Sequence, residues 1–387
     1  MNITFVTDTY SPQANGVATT LERLVKGLRE RGHSLDVIRP AVLACDEEGL
    51  QVPSIGLPGY KEVRFGFPIK LVLQARWYKR RPDVIYVATE TPLGASAISA
   101  ARALGIPVAS GFHTNFQQYM AHYQVPLLEK AAVKYLRHVH NRSTCTFVPS
   151  RDVIADLDSK GFRNLELLPK GVDTRLFSPK KRSQALRQSW GAREGTLVGL
   201  YVGRIAAEKN LPLLVKSFLE IQKRIPDFRG VFVGAGPKLE ELKRDNPQFI
   251  YPGVLRGEEL AEHYASADIF LFPSITETFG NVTMEAMASG LAVVAYDYAA
   301  AKQHIRNGEN GFTAPFDDSD AYLELVFAAV NSELTEIREN ARASARRVRW
   351  KKVIKRFEKQ LTILASGETV LPTPESMELE ELNNALS

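Results

Sequence analysis

Residues 2–39 read NITFVTDTYSPQANGVATTLERLVKGLRERGHSLDVIR. Asn2 to Thr7 is apolar and β-branched, the composition of a buried strand. A polar loop containing Asn15 and Gly16 follows. Val17 to Arg31 then places Val17, Leu21, Leu24, Val25 and Leu28 at helical spacing, and Gly32 stands where a helix end favours glycine. Leu35 to Arg39 is apolar again. Strand, helix and strand in this order form a βαβ unit, whose two strands are parallel because the helix carries the chain back across the sheet.

The alternation continues on both sides of one interruption. Strands are predicted at Asp83 to Ala88, Val108 to Phe112, Thr144 to Pro149 and Leu165 to Leu168, with a helix from Leu93 to Leu104 closed by Gly105. Pro169-Lys170-Gly171-Val172-Asp173 and the polar stretch Ser178 to Arg193 then read as a linker. The pattern restarts with strands at Thr196 to Val202, Gly230 to Val233, Ile269 to Phe272 and Ala292 to Tyr296, and helices at Leu211 to Gln222, Pro237 to Lys243 and Val282 to Ala288. Two Rossmann-like, doubly wound parallel-sheet domains follow, residues 1–170 and 171–345. One long basic helix is predicted from Ala341 to Leu364, its stripe made of Trp350, Val353, Ile354, Phe357 and Leu361. Residues 346–365 form a separate C-terminal helical segment on this reading, and 366–387 an acidic, disordered tail.

Composition narrows the function. The chain has 387 residues, 44% hydrophobic and 24% charged, which is globular and leaves no place for a rod or wholesale disorder. Its two cysteines make no disulfide framework. No apolar run approaches the ~18 residues of a membrane span, and the first residues read as a strand and not as a signal peptide. A cytoplasmic protein is expected. The net charge is +5, and the tail 366–387 holds five glutamates with no Lys or Arg, so the body is five units more positive still. Such a body suits anionic partners.

Four constellations carry chemistry. Gly203-Arg204-Ile205-Ala206-Ala207-Glu208-Lys209 follows the first strand of the second half, and Arg204 with Lys209 can reach one diphosphate. A solvated basic loop is the ordinary alternative. Ser274 to Ala286 holds Glu277 and Glu285 with seven residues between them, among these Phe279, Gly280, Asn281 and Val282. Gly280 opens a helix there, so Asn281 and Val282 offer free N–H groups at its positive end. One carboxylate can accept sugar hydroxyls and the other can chelate a ribose diol. His113 closes the strand Val108 to Phe112, at the carboxyl edge where open α/β sheets take ligands. A hydrogen-bonded structural histidine is the alternative. Gly16, at the first helix start, is placed to receive an anion.

Other strings carry less. Gly234-Ala235-Gly236-Pro237 lacks the acidic residue a dinucleotide site needs, leaving close approach to a nucleotide or plain turn chemistry. Asp156-Leu157-Asp158 and Asp318-Ser319-Asp320 fall at helix positions and read as surface or cap residues. No metal-ligand cluster, nucleophile elbow or phosphate-binding Walker string is present. No helix-turn-helix or stacking motif marks a nucleic-acid partner.

Taken together, these residues resemble the GT-B retaining glycosyltransferases of glycosyltransferase family four, over roughly Ile3 to Leu364. The Glu277-to-Glu285 string, the Arg204–Lys209 loop and Gly171-Val172-Asp173-Thr174 with Phe177 carry the likeness. Asp8-Thr9-Tyr10 with Asn15-Gly16-Val17, and Thr89-Glu90-Thr91-Pro92-Leu93-Gly94, resemble a narrower subset. That subset includes GDP-mannose-dependent α-mannosyltransferases and the glucosyl- and sulfoquinovosyl-diacylglycerol synthases. The resemblance implies two domains flanking a deep cleft, the second holding a nucleotide-sugar donor and the first an acceptor, with the last helix crossing back to the first domain. It implies that Arg204 and Lys209 bind the donor diphosphate, helped by Gly16, Asn281 and Val282. It implies that Glu285 takes the ribose, Glu277 the sugar, and His113 the reacting centre. No cofactor or metal is expected, the nucleotide-sugar being a substrate.

The acceptor is read from a different segment. Phe65, Phe67, Ile69, Leu71, Val72 and Trp77 lie beside Lys70, Arg76, Lys79, Arg80 and Arg81. An apolar segment fused to a cationic cluster suits peripheral docking on the anionic inner face of a membrane. A core helix with a solvated basic end is the alternative. Phe116, Tyr119 and Tyr123 are candidates for an acceptor entrance. A lipid acceptor such as diacylglycerol or a glycolipid leads; the alternatives are a soluble or polysaccharide acceptor, or a sugar-nucleotide-binding protein without catalysis. The sequence leaves the oligomeric state open.

Overall fold

The computed structural model describes residues 1–10, 16–41, 49–57, 60–113, 126–277 and 279–367. Phe116, Tyr119, Tyr123, residues 11–15 and the acidic tail beyond 367 lie outside the described residues. The chain divides into two compact units, Met1–Pro169 with Val353–Ser387, and Lys170–Lys352.

The first unit is built on strands β1 (Asn2–Val6), β2 (Ser34–Pro40), β3 (Leu50–Val52), β6 (Val84–Val87), β7 (Val108–Gly111), β8 (Cys145–Val148) and β9 (Leu165–Leu167). They pair in the order β3-β2-β1-β6-β7-β8-β9, parallel throughout. A separate antiparallel hairpin joins β4 (Ser54–Leu57) to β5 (Tyr60–Gly66). The helix Gly16–Glu30 buries Leu21, Leu24, Val25 and Leu28, the stripe its spacing predicts, and Gly32 ends it in the left-handed region at φ +87°.

The second unit holds β10 (Val198–Val202), β11 (Arg229–Val233), β12 (Ile250–Gly253), β13 (Ile269–Phe272), β14 (Ala292–Tyr296) and β15 (Phe312–Ala314). Their order is β12-β11-β10-β13-β14-β15, again all parallel. Both units are thus Rossmann-like, as the alternation of apolar strands and amphipathic helices predicts. In each sheet the strand order reverses direction once, between β1 and β6 in the first and between β10 and β13 in the second. Loops leaving the carboxyl ends of two such strands diverge to opposite faces and leave a crevice. Their position in the topology therefore fixes which loops can form a site: those after β10 and β13.

The C-terminal region corrects the sequence reading. A single helix from Ala341 to Leu364 is expected, but the chain forms two, Leu334–Ala345 and Trp350–Ser366. The break serves the backbone of a distant segment. Val348 O accepts from Val172 N at 3.0 Å, and Val172 forms an isolated parallel bridge with Arg349. Gly171 passes so close that a Cβ there would lie 2.8 Å from the Trp350 Cα. The lack of a side chain at Gly171 permits this contact, and no Pro or Gly near 346 announces the break.

From Val353 onward the last helix completes the core of the first unit. Phe357 stacks edge-on with Tyr86, Phe147 and Phe5 at centroid separations of 5.0, 5.1 and 6.2 Å. A buried phenylalanine of this kind contributes about 2–3 kcal/mol. Ile354 fills the space that Gly27 leaves on the first helix. Arg31 and His33 both reach Glu358, at 2.5 and 2.8 Å.

Candidate active site

In the second unit the two loops that leave β10 and β13 meet. After Val202 the chain runs through Gly203 and Arg204 into the short 3-10 turn Ala207–Lys209. Asn210 then takes the left-handed conformation at φ +53° and Pro212 starts the helix Leu211–Arg224. After Phe272 the chain runs through Ser274 to Glu277 to Gly280, left-handed at φ +86°, which opens the helix Asn281–Ala288. Because β10 and β13 are hydrogen-bonded neighbours, both loops leave the same sheet edge.

Lys209 bridges them. Its ammonium donates to Glu277 Oε1 in a close ion pair, to Thr276 O at 3.2 Å and to Ser274 Oγ at 3.3 Å. Ser274 Oγ donates to the same carboxylate oxygen at 2.9 Å. Tyr298 clamps the loop from the far side. Its hydroxyl accepts from Glu277 N at 3.1 Å and donates to Glu277 O. Arg204 reaches the buried Glu208 at 3.4 Å, and its carbonyl accepts from Tyr201 OH at 2.9 Å. Each expected diphosphate cation thus stands beside a carboxylate that holds its side chain in place.

Glu285 is held differently. Burial pushes its carboxyl up to about 7, and the Tyr264 hydroxyl, donating to Oε2 at 3.0 Å, pulls it part of the way back. At the start of the same helix, Asn281 Oδ1 is buried with no hydrogen-bond partner among the described residues.

The Gly234-Ala235-Gly236 turn resolves into a packing role. A Cβ on Gly234 would lie 1.9 Å from Gly203 O, and one on Gly236 2.2 Å from Ile205 O. Ile205 N donates to Ala235 O at 2.9 Å and Lys238 N donates to Ile205 O at 3.0 Å. The glycines let this turn lie against the Arg204 loop and hold it in place. On its other side Gly253 O accepts from Gly234 N at 2.8 Å.

In the first unit His113 follows β7 and is buried. Its Nε2 lies 2.6 Å from the Tyr86 hydroxyl, and a Cβ on Gly111 would collide with both. Gly16 begins the first helix and accepts from Thr20 Oγ1 at 2.7 Å. Two residues that the sequence marks only by resemblance, with no role attached, are Asp8 and Glu90. Asp8, at the end of β1, accepts from Gly66 N, from Thr91 Oγ1 and from Thr89 Oγ1 at 2.8 Å. Burial raises its carboxyl, and these hydrogen bonds oppose the rise. Glu90 Oε1 lies 3.3 Å from the fully buried His140, whose Nδ1 is 2.9 Å from Ser110 Oγ. The Asp8 and Thr89-Glu90-Thr91 strings, far apart in sequence, are therefore one hydrogen-bonded structure. Among the described residues no group of three or more His, Cys, Asp or Glu is placed to hold a metal ion. The literal Asp-x-Asp strings fall on the helix Arg151–Ser159 and at Asp318, which caps the helix Ser319–Asn331.

The basic and apolar segment splits. On the helix Lys70–Lys79, Leu73 and Trp77 point into the core, and Trp77 is only 1% exposed. The surface role expected for Trp77 is overturned: its spacing from Leu73 puts both on the buried face. Leu71 and Tyr78 are 79% and 84% exposed, and Phe67 and Val72 join them at the surface. Lys70, Lys79 and Arg80 are exposed beside them. Arg76 pairs with Asp36 at 3.0 Å, and Arg81 donates to the carbonyls of Leu104 and Gly105 at 2.7 and 2.9 Å, where it satisfies a helix end. No helix among the described residues is long and apolar enough to cross a membrane.

Comparison with known proteins decides the family. Residues 14–176 match the family described as glycosyltransferase family 4, and residues 196–331 match glycosyl transferases group 1. The chain is 31% identical to a GDP-mannose-dependent alpha-mannosyltransferase of Corynebacterium glutamicum, over 89% of this chain and 83% of that protein. This chain belongs to glycosyltransferase family four. The family-four chain is also 30% identical to an alpha-monoglucosyldiacylglycerol synthase of Streptococcus pneumoniae, over 76% of this chain and 71% of that one. Its fold matches that of sucrose-phosphate synthase from Thermosynechococcus elongatus with a TM-score of 0.75, at 18% identity, over 95% of this chain and 100% of the other. Paired Rossmann-like domains in one such chain are the GT-B architecture, and this transferase is a hexosyltransferase.

Proposed function

We propose that this glycosyltransferase moves a hexose from a nucleoside-diphosphate sugar to a lipid acceptor, with retention at the anomeric carbon. The observation that carries the reading is the junction of the β10 and β13 loops. Arg204, Lys209, Glu277 and the start of the helix Asn281–Ala288 stand at one sheet edge, beside the switch in strand order. That set combines cations and backbone donors for a diphosphate with a carboxylate for sugar hydroxyls.

The chemistry follows from where charge develops. The bond between the anomeric carbon and the β-phosphate oxygen breaks, leaving an oxocarbenium-like sugar and a growing negative charge on the diphosphate. Arg204, Lys209 and the helix N-terminus stabilise that charge, the largest contribution such a site makes. The acceptor hydroxyl attacks on the leaving-group face, and a β-phosphate oxygen takes its proton. Glu277 orients the sugar, Glu285 accepts from the ribose, and in the first unit His113 contacts the transferred sugar. No step in this scheme needs a metal.

The lipid acceptor rests on two supports. The Streptococcus pneumoniae relative is named for making a diacylglycerol glucoside. On this chain, exposed Leu71, Val72, Tyr78 and Phe67 stand beside Lys70, Lys79 and Arg80, the pairing of apolar and cationic side chains that docks on anionic lipid. The enzyme would then work at the inner face of a membrane.

The experiment is label transfer from UDP-glucose, UDP-glucuronate, UDP-galactose and GDP-mannose to diacylglycerol in anionic mixed micelles containing chelator. Label in the organic phase from one donor is the expected result. Diphosphate release with label only in the aqueous phase would overturn the lipid acceptor, and no release from any donor would overturn the donor class.

A further inference from the structure

Lys170 is a buried cation that the scheme above leaves unused. It opens the second unit, within Pro169-Lys170-Gly171-Val172-Asp173, and is only 7% exposed. Among the described residues no carboxylate lies within ion-pair distance of its ammonium. Its nitrogen stands 5.9 Å from the centre of the Phe279 ring. Phe279 belongs to the loop that Gly280 turns into the helix Asn281–Ala288, so the ammonium is close to the positive end of that helix. Burying a cation is costly, and a single cation–π contact offsets only a small part of that cost.

The charges of the site sharpen the point. Arg204 stands with Glu208, and Lys209 is paired with Glu277. Each pair sums to zero. Glu285, with its carboxyl pushed up to about 7, is partly neutral near neutral pH. Lys170 is the positive charge left over. Burial lowers it to about 8 and only Glu277, already shared with Lys209, pulls it back. Among the described residues, no carboxylate at ion-pair distance offsets its charge.

We propose that Lys170 is a third cation of the donor site, which takes up the charge of the nucleoside diphosphate beside Arg204 and Lys209. This rests on the donor reading given above. The diphosphate supplies the counter-charge that the folded chain withholds from Lys170. Binding then draws a proton onto any Lys170 that is neutral, so affinity falls as pH rises past about 8.

The test is calorimetric titration with UDP and with GDP from about pH 7 to about pH 9, in two buffers of different ionisation enthalpy. Wild-type protein should bind one of them more weakly as pH rises, with proton uptake. Lys170→Met should lose about ten- to a hundredfold in affinity at the lower pH and show little further change with pH. Lys170→Arg, which cannot titrate, should keep the affinity and lose the slope. Unchanged affinity in folded Lys170→Met, or a wild-type slope in Lys170→Arg, would overturn the proposal. Should Lys170→Met fail to fold, the slope of Lys170→Arg decides alone. Wild-type protein that binds neither nucleotide would overturn the donor reading, and this proposal with it.

Discussion

The Nε2 of His113 and the hydroxyl of Tyr86 lie 2.6 Å apart, both buried, under a glycine that leaves room for them. Burial raises the Tyr86 hydroxyl above its ordinary range, so it stays protonated and shares one proton with Nε2, as donor or acceptor according to the tautomer of the imidazole. The contact fixes the orientation of the His113 ring. Tyr86→Phe should remove this hydrogen bond to Nε2, at about 1–3 kcal/mol of stability. If His113 contacts the transferred sugar, turnover should drop by about tenfold while the donor KM barely moves. Initial rates on the folded variant check this; wild-type turnover would leave the pair a purely structural one.

Lys209 joins the two loops and faces the leaving group in the scheme proposed here. Lys209→Ala removes the cation and leaves Glu277 with an unopposed charge. Turnover should fall about a hundred- to a thousandfold. Rates near wild type in a folded variant would reject the role of Lys209 in stabilising the diphosphate.

Glu285 should make stability depend on pH in the direction opposite to an ordinary surface carboxylate. Its folded value, about 7, lies above the ordinary 4.5, so the native state holds its proton where the unfolded chain has lost it. Its contribution is present below about 4.5 and is lost as pH rises through about 7. Glu285→Gln should flatten this loss and be the more stable protein at about pH 8, by up to about 3 kcal/mol. Denaturant unfolding at acidic and alkaline pH measures it, and an unchanged slope in the variant would assign the pH dependence elsewhere.

Lys79 and Arg80 should each contribute about 1 kcal/mol to binding an anionic surface. Neutralising both should weaken partitioning onto phosphatidylglycerol vesicles by more than tenfold and reduce its dependence on salt. Leu71→Ser with Tyr78→Ser should weaken it on any vesicle. Because these side chains are exposed, stability should change by less than about 0.5 kcal/mol. Sedimentation with vesicles gives the answer; partitioning unmoved by all four changes would remove the docking surface.

The folding pattern was legible because it is periodic. Apolar runs such as Ile269 to Phe272 and stripes such as Leu21, Leu24, Val25 and Leu28 reappear as strand and buried helix face. Arg204, Lys209, Glu277 and Glu285 stand out in the sequence as candidates, and Lys209 and Glu277 touch because their loops follow two paired strands. What escaped depends on contacts distant in sequence. Val172 claims the Val348 carbonyl and so divides the predicted long helix. Tyr86 lies 27 positions before the histidine it holds, and a tyrosine inside a strand carries no mark of that. Trp77 looked superficial among basic residues until its helix turned it inward. Lys170 passed for a linker lysine, since burial of a single charge leaves no pattern in the sequence. The hairpin of β4 and β5 is too short to show a period.

The return of the chain to Phe5, Tyr86 and Phe147 through Phe357 sets an order of events during synthesis. A ribosome makes the seven-stranded sheet first, yet the aromatic ring that closes its core is added only after the whole of the second unit has been made. The second unit, continuous from Lys170 to Lys352, needs no later residue and can close as it emerges. The first-made half is thus the last to be finished, and until then its open aromatic socket is the surface for a chaperone to cover.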